Sequence, residues 1–557
     1  RESHPEAWLY DEQARVAEIG FTYQEKSSPS AFVFRSSPLL HKYPPADLLV
    51  AGYLMESFDA GLIKQYLGYL VGDNVMVTLT TPEIKGDALE PWFEVPYSLK
   101  KQAPTQAAVP AGLFRLPDEN PFLPTRLSLK ADDNSGPELT IDTPTLDVWL
   151  DQDTEFGAPR ANLYVTLGVD GGFLTARDRA NAQLYRALVE NELAALTYPA
   201  YLAGLGYSIG VPDTGFEIRV TGYDQKQAEL LNAILTNFID LEIQPQRYEL
   251  EKAQLLRRWS NARKERPFRQ TVAAVNQTLA SESWPPANLA AAINAQNLTE
   301  FQSWVRDRLT RFNAQMLYHG NVNAADAQRI AAVLKQRLAD KPIAWGSGRV
   351  REINDNLRLE LPIDHNDASM VIHVQAPDDS FEDRALYALG AQILQNRYFK
   401  ELRTEQQLGY VVTATNRPIH NRPGITFIVQ SPVRSAAYLE TATQEFMTQF
   451  LRDWPEFTDA EFAQQKQGLI NRLTQASKNL NERSGKLWSD LKDEHLSFNS
   501  REQIAALVAD LDKTALTEFY TAVNDKLSNR RLIIYNTGKF GEAPDEGRLL
   551  ESPTAGF

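Results

Sequence analysis

Ser380-Phe381-Glu382-Asp383-Arg384-Ala385 restates, in residue type and order, a stretch met earlier in the chain, Thr175-Ala176-Arg177-Asp178-Arg179-Ala180. The echo continues: Leu205-Gly206-Tyr207 returns as Leu408-Gly409-Tyr410, and Leu298-Thr299-Glu300-Phe301 as Leu516-Thr517-Glu518-Phe519. Three landmarks in one order at near-constant separation describe a duplicated domain, because the period is far longer than any solenoid unit. Around the landmarks the two copies read alike. Residues 161–167 alternate as a strand, matched by 370–374. A helix then opens at Thr175 or Ser380, whose hydroxyl can accept a backbone N–H while Asp178 or Asp383 reaches back. Leu184, Leu188, Val189, Leu193 and Leu196 give the first of these helices its inward stripe. Residues 207–211 with 216–220, and 410–415 with 425–429, read as antiparallel pairs. Each copy closes on a helix (301–309, 519–527) and a strand (315–319, 532–535). This segregation predicts an α+β fold of repeated domains, each a largely antiparallel sheet with helices on one face.

Residues 60–67 read as a short amphipathic helix and 75–79 as a strand, the same closing order, so the front of the chain reads as the tail of a third copy. With Arg1 rather than Met at its head, the chain reads as a piece of a longer protein. Pro104, Pro110, Pro117, Pro121 and Pro124 interrupt any regular ladder. The expected division is therefore a truncated domain over 1–97, a Pro-rich linker over 98–126, and full copies over 127–345 and 346–557.

Composition narrows the function. Of the 557 residues, 43% are hydrophobic and 10% aromatic, enough to build substantial cores. A net charge of −15 argues against nucleic acid or an anionic membrane surface as the main partner. No cysteine occurs, which removes disulfides, thiolate zinc sites and cysteine nucleophiles. No run approaches the ~18 apolar residues of a membrane span.

Subtracting one copy from the other isolates what is specific to each. Leu-Gly-Tyr is common to both and reads as structural, the glycine making a turn and the tyrosine packing. Arg403, seven residues before Tyr410, has Ala200 as its counterpart, and Phe399 has Leu196. Arginine offers a rigid fork of donors for carbonyl or carboxylate oxygens, and a phenol can donate to a developing oxyanion. From spacing alone, a surface salt bridge is the plainer reading of Arg403.

Residues 401–410, Glu-Leu-Arg-Thr-Glu-Gln-Gln-Leu-Gly-Tyr, followed by 424–431, Gly-Ile-Thr-Phe-Ile-Val-Gln-Ser, resemble the C-terminal half of the pitrilysin and insulin-degrading enzyme family of zinc metalloendopeptidases. Residues 114–125 resemble the linker between the halves of such enzymes, and Tyr318-His319-Gly320-Asn321 the closing strand of their third domain. The resemblance implies four homologous domains, two per half, closing like a clamshell around a peptide. It makes 1–97 the end of the second domain and the two full copies the third and fourth. It assigns Tyr410 to the scissile carbonyl, Arg403 to the substrate backbone, and Phe399 to the pocket after the cleaved bond.

The family's zinc signature, His-x-x-Glu-His, belongs to the first domain. The histidines here are His4, His41, His319, His365, His373, His420 and His495, and no two stand four apart. Glu494-His495 offers one imidazole and one carboxylate, short of the three protein ligands a catalytic zinc takes. Zinc is therefore expected in the complete protein and none in this chain. The expected partners are peptide substrates and an N-terminal catalytic half, with no nucleic acid and no membrane span. Resemblance to bacterial members and the absence of cysteine point to the periplasm. The rival reading is a non-catalytic peptide-binding or partner protein built from the same domains; retention of Phe399, Arg403 and Tyr410 favours the peptidase.

Two further patterns carry less. Gly206-Tyr207-Ser208-Ile209-Gly210 matches a nucleophile elbow by letter, but an elbow needs a strand before it and a helix after it, the reverse of the order here. Residues 255–260 with Arg257 and Arg258 read as a solvated helix face, with Leu255, Leu256 and Trp259 turned inward.

Overall fold

A computed structural model describes residues 5–70, 74–83, 85–101, 116–131, 136–339 and 341–555. The chain divides into two compact units, Arg1–Leu123 with Leu202–Gly204, and Pro124–Tyr201 with Leu205–Phe557.

The first unit carries helices α1 (Ala7–Thr22), α2 (Pro29–Ser36) and α3 (Ala60–Tyr69), and a short antiparallel pair, β1 (Ala88–Leu89) with β2 (Pro96–Tyr97). Asp59 caps α3 by accepting from the Leu62 N–H at 2.9 Å. The strand expected over 75–79 does not form: Val75, Met76, Val77 and Leu79 are exposed and in irregular backbone. An apolar run alone cannot make a strand, because its N–H and C=O groups need a neighbour, and among the described residues none runs alongside. Of the expected linker, Pro104, Pro110, Phe114 and Arg115 lie outside the described residues. The part from 116 to 120 has neither helix nor strand, and the Asn120 N–H donates to Glu12 at 2.8 Å.

The second unit is built twice. The first copy contains β3 (Glu138–Thr143), β4 (Leu146–Gln152), β5 (Arg160–Gly168), α4 (Ala176–Leu202), β6 (Gly206–Gly210) and β7 (Gly215–Tyr223). It continues with α5 (Gln227–Ile239), α6 (Pro245–Asn261), α7 (Pro267–Leu279), α8 (Pro286–Asn294), α9 (Leu298–Arg308), β8 (Asn313–Gly320) and α10 (Ala324–Lys335). The second copy runs β9 (Leu357–Glu360), β10 (Ala368–Gln375), α11 (Phe381–Phe399), β11 (Val411–Asn416), β12 (Gly424–Ser431) and α12 (Ala436–Asp453). It ends with α13 (Asp459–Leu473), α14 (Leu480–Lys492), α15 (Ser500–Asp510), α16 (Lys513–Asn529), β13 (Leu532–Asn536) and β14 (Arg548–Leu549).

The sheets confirm the duplication strand by strand. The first is ordered β3-β4-β8-β5-β7-β6 and the second, read from the matching edge, β14-β9-β13-β10-β12-β11. In each, the second and third strands pair parallel (β4 with β8, β9 with β13) and the central strand pairs antiparallel on both sides. The copies differ only in what fills the outermost place: β3 precedes its sheet in sequence and β14 follows its own.

The helix starts follow the expected pattern in part. Thr175 and Ser380 accept the N–H groups of Asp178 (3.0 Å) and Asp383 (3.2 Å). The return arm differs, because the Ser380 N–H is already held by Asp378 at 2.9 Å, and Asp178 instead takes the Thr175 hydroxyl at 2.7 Å.

Each sheet is covered by its own copy's helices on one face, as the segregated pattern predicts. In the second copy Met370, Ile372, Val374, Phe427, Val429, Ile533 and Tyr535 meet α11, α12 and α16 there. The intervening residues, Val371, Ile428, Leu532 and Ile534, point to the other face. They are buried too, against Ala274, Val275 and Leu279 of α7, a helix of the first copy. The exchange is reciprocal: α14 of the second copy lays Leu487, Trp488 and Leu491 against Tyr164 and Leu317 of the first sheet. Trp488 stacks on Tyr164 with ring centroids 5.3 Å apart and donates to Glu217 Oε2 at 2.9 Å. Burial alone would push the Glu217 carboxyl up, but Lys492, Trp488 and Arg219 together hold it below the usual carboxylate range. Burying side chains of this size contributes about 1.5–3 kcal/mol each.

Beside this patch lies a buried polar cluster. His319 Nδ1 sits 2.7 Å from Ser484 Oγ, which donates to the Leu480 carbonyl and accepts from Asn162 Nδ2, each at 2.8 Å. Asp151 Oδ2 stands 3.6 Å from His319 Nε2. Serine, histidine and aspartate are the letters of a hydrolase triad, yet all three are sealed from solvent. Ser484 also spends its proton on a helix carbonyl, so the cluster joins two domains and attacks nothing.

Burial, with a smaller contribution from Arg483, lowers the His319 pKa to about 3, and burial with Arg417 does the same for His373. The unfolded chain binds these protons near 6.5 and the folded chain does not, so stability is full above about pH 6.5 and lost as pH falls towards 3. Chemical denaturation across that window should give a slope of up to about 1.4 kcal/mol per pH unit for each histidine. His319→Gln should reduce that slope; an unchanged slope would remove His319 from the acid response.

Candidate functional site

The chemistry-bearing residues singled out in the second copy lie where α11 gives way to β11. Residues Lys400–Glu405 continue α11 as one π-helical turn, a wide form common at functional sites. Its signature is the Gln406 N–H donating to the Glu401 carbonyl at 2.9 Å, followed by Leu408 N–H to Leu402 O at 3.0 Å. Leu402 and Leu408 are both buried and anchor the turn to the core. Gln407 reverses the chain in the left-handed region, at φ 55°.

Gly409 answers to a different constraint from the one its place in the sequence suggests. Its φ is not positive; instead, a Cβ there would stand 2.0 Å from the Gln430 carbonyl oxygen of β12. The glycine admits close strand approach, and the turn itself is made by Gln407.

Phe399 and Arg403, one helical turn apart, share a face. The Arg403 guanidinium lies 4.7 Å from the Phe399 ring centroid and 5.7 Å from that of Tyr410. The cation is thus stacked between two aromatic faces, a geometry suited to guanidinium. The expected surface salt bridge is not made: among the described residues Arg403 has no carboxylate partner, while neighbouring Lys400 is paired with Glu405 at 3.3 Å. Stacking fixes the plane of the fork and leaves its edge N–H donors unspent.

Tyr410 does not pack as expected for a shared structural residue. It is 88% exposed, and Phe399 is 37% exposed. Its counterpart Tyr207 is half-buried, and burial raises its pKa against the opposing effect of a hydrogen bond with Thr197. With Leu196 and Ala200 in place of Phe399 and Arg403, the first copy keeps the scaffold and spends its phenol internally. The second copy presents phenol, guanidinium and ring together at one corner.

The hairpin launched from this corner is held at both ends. Its strands pair from Val411↔Gln430 to Asn416↔Ile425. At the tip, His420 Nε2 lies 2.9 Å from Glu282 of the first copy, and the hydrogen bond it donates to that carboxylate raises the His420 pKa above its ordinary value despite partial burial. A cavity of about 670 Å³ lies on another side of the π-turn, between it and α12, and includes none of Phe399, Arg403 and Tyr410.

The remaining sequence patterns resolve into structure. His495 Nε2 is 3.0 Å from Asn499 Oδ1, its ring meets Phe381 edge-on at 5.0 Å, and Glu494 turns in the left-handed region after α14. Ser208 sits in edge strand β6, not in a strand-to-helix elbow. On α6, Leu255 and Trp259 face inward and Arg257 and Arg258 face solvent. Among the described residues no group of three or more His, Cys, Asp or Glu side chains converges to hold a metal ion. The donors among the described residues do not fit a catalytic zinc. No helix described is long and apolar enough to cross a membrane.

The close approach of Gln430 to Gly409 gives a test of this local geometry. Gly409→Ala should destabilise by about 1–3 kcal/mol, because the added methyl forces β11 off β12. Gly468→Ala, mid-helix in α13 with nothing within 4 Å of the new Cβ, should stabilise by up to about 1 kcal/mol. Denaturation midpoints of opposite sign confirm the contrast; a neutral Gly409→Ala contradicts it.

Comparison with known proteins converges on one family. Residues 21–292 match the model of the middle or third domain of peptidase M16, and residues 389–488 that of domain 4 in the C-terminal lobe of proteins like the PQQ synthase PqqF. The chain is 27% identical over 545 residues to the insulin-degrading enzyme of Bos taurus, covering 93% of this chain and 53% of that one. It is 26% identical over 547 residues to the A-factor-processing enzyme of Saccharomyces cerevisiae, covering 93% of this chain and 52% of that one. The chain thus spans about half the length of the curated relatives it matches. In fold it is similar to pitrilysin, with a TM-score of 0.79 at 21% identity, over 99% of this chain and 60% of that one. A peptidase M16 inactive domain from Pseudomonas fluorescens matches at a TM-score of 0.56 and 15% identity, over 74% of this chain and all of that one. Taken with the duplicated sheets and the helix-to-strand corner at Tyr410, these matches make the chain a member of the pitrilysin and insulin-degrading enzyme family of peptidases.

Proposed function

We propose that this chain is the substrate-holding portion of a zinc-dependent endopeptidase that degrades peptides in an enclosed chamber. The two sheet-bearing copies serve as its third and fourth domains, residues 1–97 as the end of its second, and 98–126 as the connection between halves. The zinc ligands come from sequence outside this chain, and the chain alone binds peptide without hydrolysing it. The absence of cysteine suits an oxidising periplasm as its place of work.

One observation supports this reading above the rest: Arg403 stacked between Phe399 and Tyr410 at an exposed corner, with no counterpart in the first copy. Peptide hydrolysis develops negative charge on the scissile carbonyl oxygen, and a preorganised donor there favours the transition state over the bound substrate. The Tyr410 hydroxyl is such a donor, and the exposed ring can reach a substrate. Arg403, with its plane fixed by stacking, offers two parallel N–H groups to backbone carbonyls. Phe399 lines the adjacent pocket while also supporting the guanidinium. A non-catalytic peptide-binding protein of the same domains shares the holding step but has no use for an oxyanion donor.

In the full-length peptidase, Tyr410→Phe should lower kcat by about 10²-fold or more with little change in KM. Arg403→Lys should raise KM and lower kcat, since an ammonium cannot reproduce the planar fork. Steady-state kinetics on a fluorogenic peptide measures both. Full activity in Tyr410→Phe would remove the oxyanion role and leave the non-catalytic reading.

A further inference from the structure

The large apolar side chains that the second copy leaves in water are not scattered. Among its described residues they are Phe399, Tyr410, Val433, Tyr438, Leu496 and Leu549. The first four gather where β11 begins and β12 ends. Val411 pairs with Gln430, and the Cα of the next residue, Ser431, stands 3.4 Å from the place a Cβ on Gly409 would occupy. Single exposed apolar residues need no explanation, but a cluster marks a surface that meets something.

The chain leaving β12 builds the second half of that cluster. Ser431 Oγ accepts the N–H groups of Val433 (3.2 Å) and Arg434 (3.0 Å), and Ser435 then caps α12 by accepting the Tyr438 N–H at 3.3 Å. The Arg434 guanidinium lies 4.7 Å from the Tyr438 ring centroid. Among the described residues it has no carboxylate partner, and Glu542, which reaches this turn, takes the Ser435 hydroxyl at 2.7 Å instead. Arg434 is therefore in the same state as Arg403, stacked on a ring with its donors unspent. Both arginines lie on the helix-bearing face of the second sheet. Arg403 follows α11 and Arg434 precedes α12, and Leu402, Leu408, Ala436 and Leu439 from the same two segments enter one core. In a chain of net charge −15, two such cations make a local positive spot. The corresponding connection in the first copy, Asp224–Lys226 between β7 and α5, carries instead a buried aspartate paired with Lys130 at 3.2 Å.

We infer that Arg434, on the ledge it forms with Val433 and Tyr438, is a second peptide subsite that takes an acidic side chain of the substrate. This rests on the reading of Arg403 and Tyr410 as substrate-holding residues and adds a preference for acid at a set distance from them. The close contact of Gly409 with Ser431 puts Arg434 on the order of 10 Å from Tyr410, about three residues along an extended peptide. The guanidinium fork receives a carboxylate through two parallel N–H groups, and Val433 and Tyr438 offer apolar surface to the residue beside it.

Fluorescence anisotropy on this chain tests the inference, with dye-labelled, end-capped peptides of serine and alanine around one phenylalanine as probes. A single glutamate is moved through the positions on either side of the ring, with glutamine at the same place as the reference. The best-placed glutamate, about three residues from the phenylalanine, should tighten binding by about fivefold. Arg434→Gln should remove that factor and leave the affinity for the glutamine peptide unchanged, and Arg434→Glu should transfer the preference to lysine. A glutamate preference that survives Arg434→Gln and is lost in Arg403→Ala would overturn the inference and place the carboxylate at Arg403. No preference at any position, with binding that Arg403→Ala still weakens, would overturn it and leave the substrate-holding corner standing. No binding at millimolar peptide would overturn both.

Discussion

Two helices exchanged between the copies, α7 and α14, hold the larger unit together. Each sheet has two faces to cover, and one copy's own helices cover only one of them. α7 seals the second sheet with Ala274, Val275 and Leu279, and α14 seals the first with Leu487, Trp488 and Leu491. Removing α7 would expose Val371, Ile428, Leu532 and Ile534, and removing α14 would uncover Tyr164 and Leu317 and leave the buried Asn162, Glu217 and His319 without their partners, penalties neither copy can relieve alone. The polar groups at the seam are committed as well. Trp488 is bonded to Glu217, Ser484 to His319 and Asn162, and His420 to Glu282. The copies are therefore one folded piece, and the β11–β12 hairpin that carries the site inherits that rigidity at its tip.

The proposed function rests on how one copy departs from the other. Both have a helix, a turn, a Leu-Gly-Tyr and an edge strand. In the first, Tyr207 bonds inward to Thr197. In the second, a π-turn and a left-handed Gln407 lead to an outward Tyr410, and Phe399 and Arg403 complete the stack. A cation held by two rings keeps its donors free for a ligand, whereas one held by a carboxylate does not. That difference separates Arg403 from Lys400 three residues away, which is paired with Glu405.

The α+β class, the strand pairs and the closing helix-strand order were legible because each has a local period or landmark. Arg403 and Phe399 were legible by subtraction between copies. What local pattern could not report depends on partners distant in sequence. The run 75–79 is apolar but has no neighbouring strand among the described residues. The second cover on each sheet comes from the other copy. Gly409 is set by the approach of Gln430, and Tyr410's exposure by a π-turn that no spacing rule signals. The near-continuous apolar run of β10 (Ala368–Gln375), buried on both faces, was the available hint that a second layer existed.

On the proposed reading, substrate meets the Tyr410 corner and not its Tyr207 counterpart. The direct measurement places the photo-crosslinker p-benzoylphenylalanine at position 410, and separately at position 207, and irradiates each protein with a peptide substrate. Crosslinks from 410, concentrated beside the cleaved bond, with none from 207, are the predicted result. Equal crosslinking from both positions, or crosslinking from 207 alone, would contradict it.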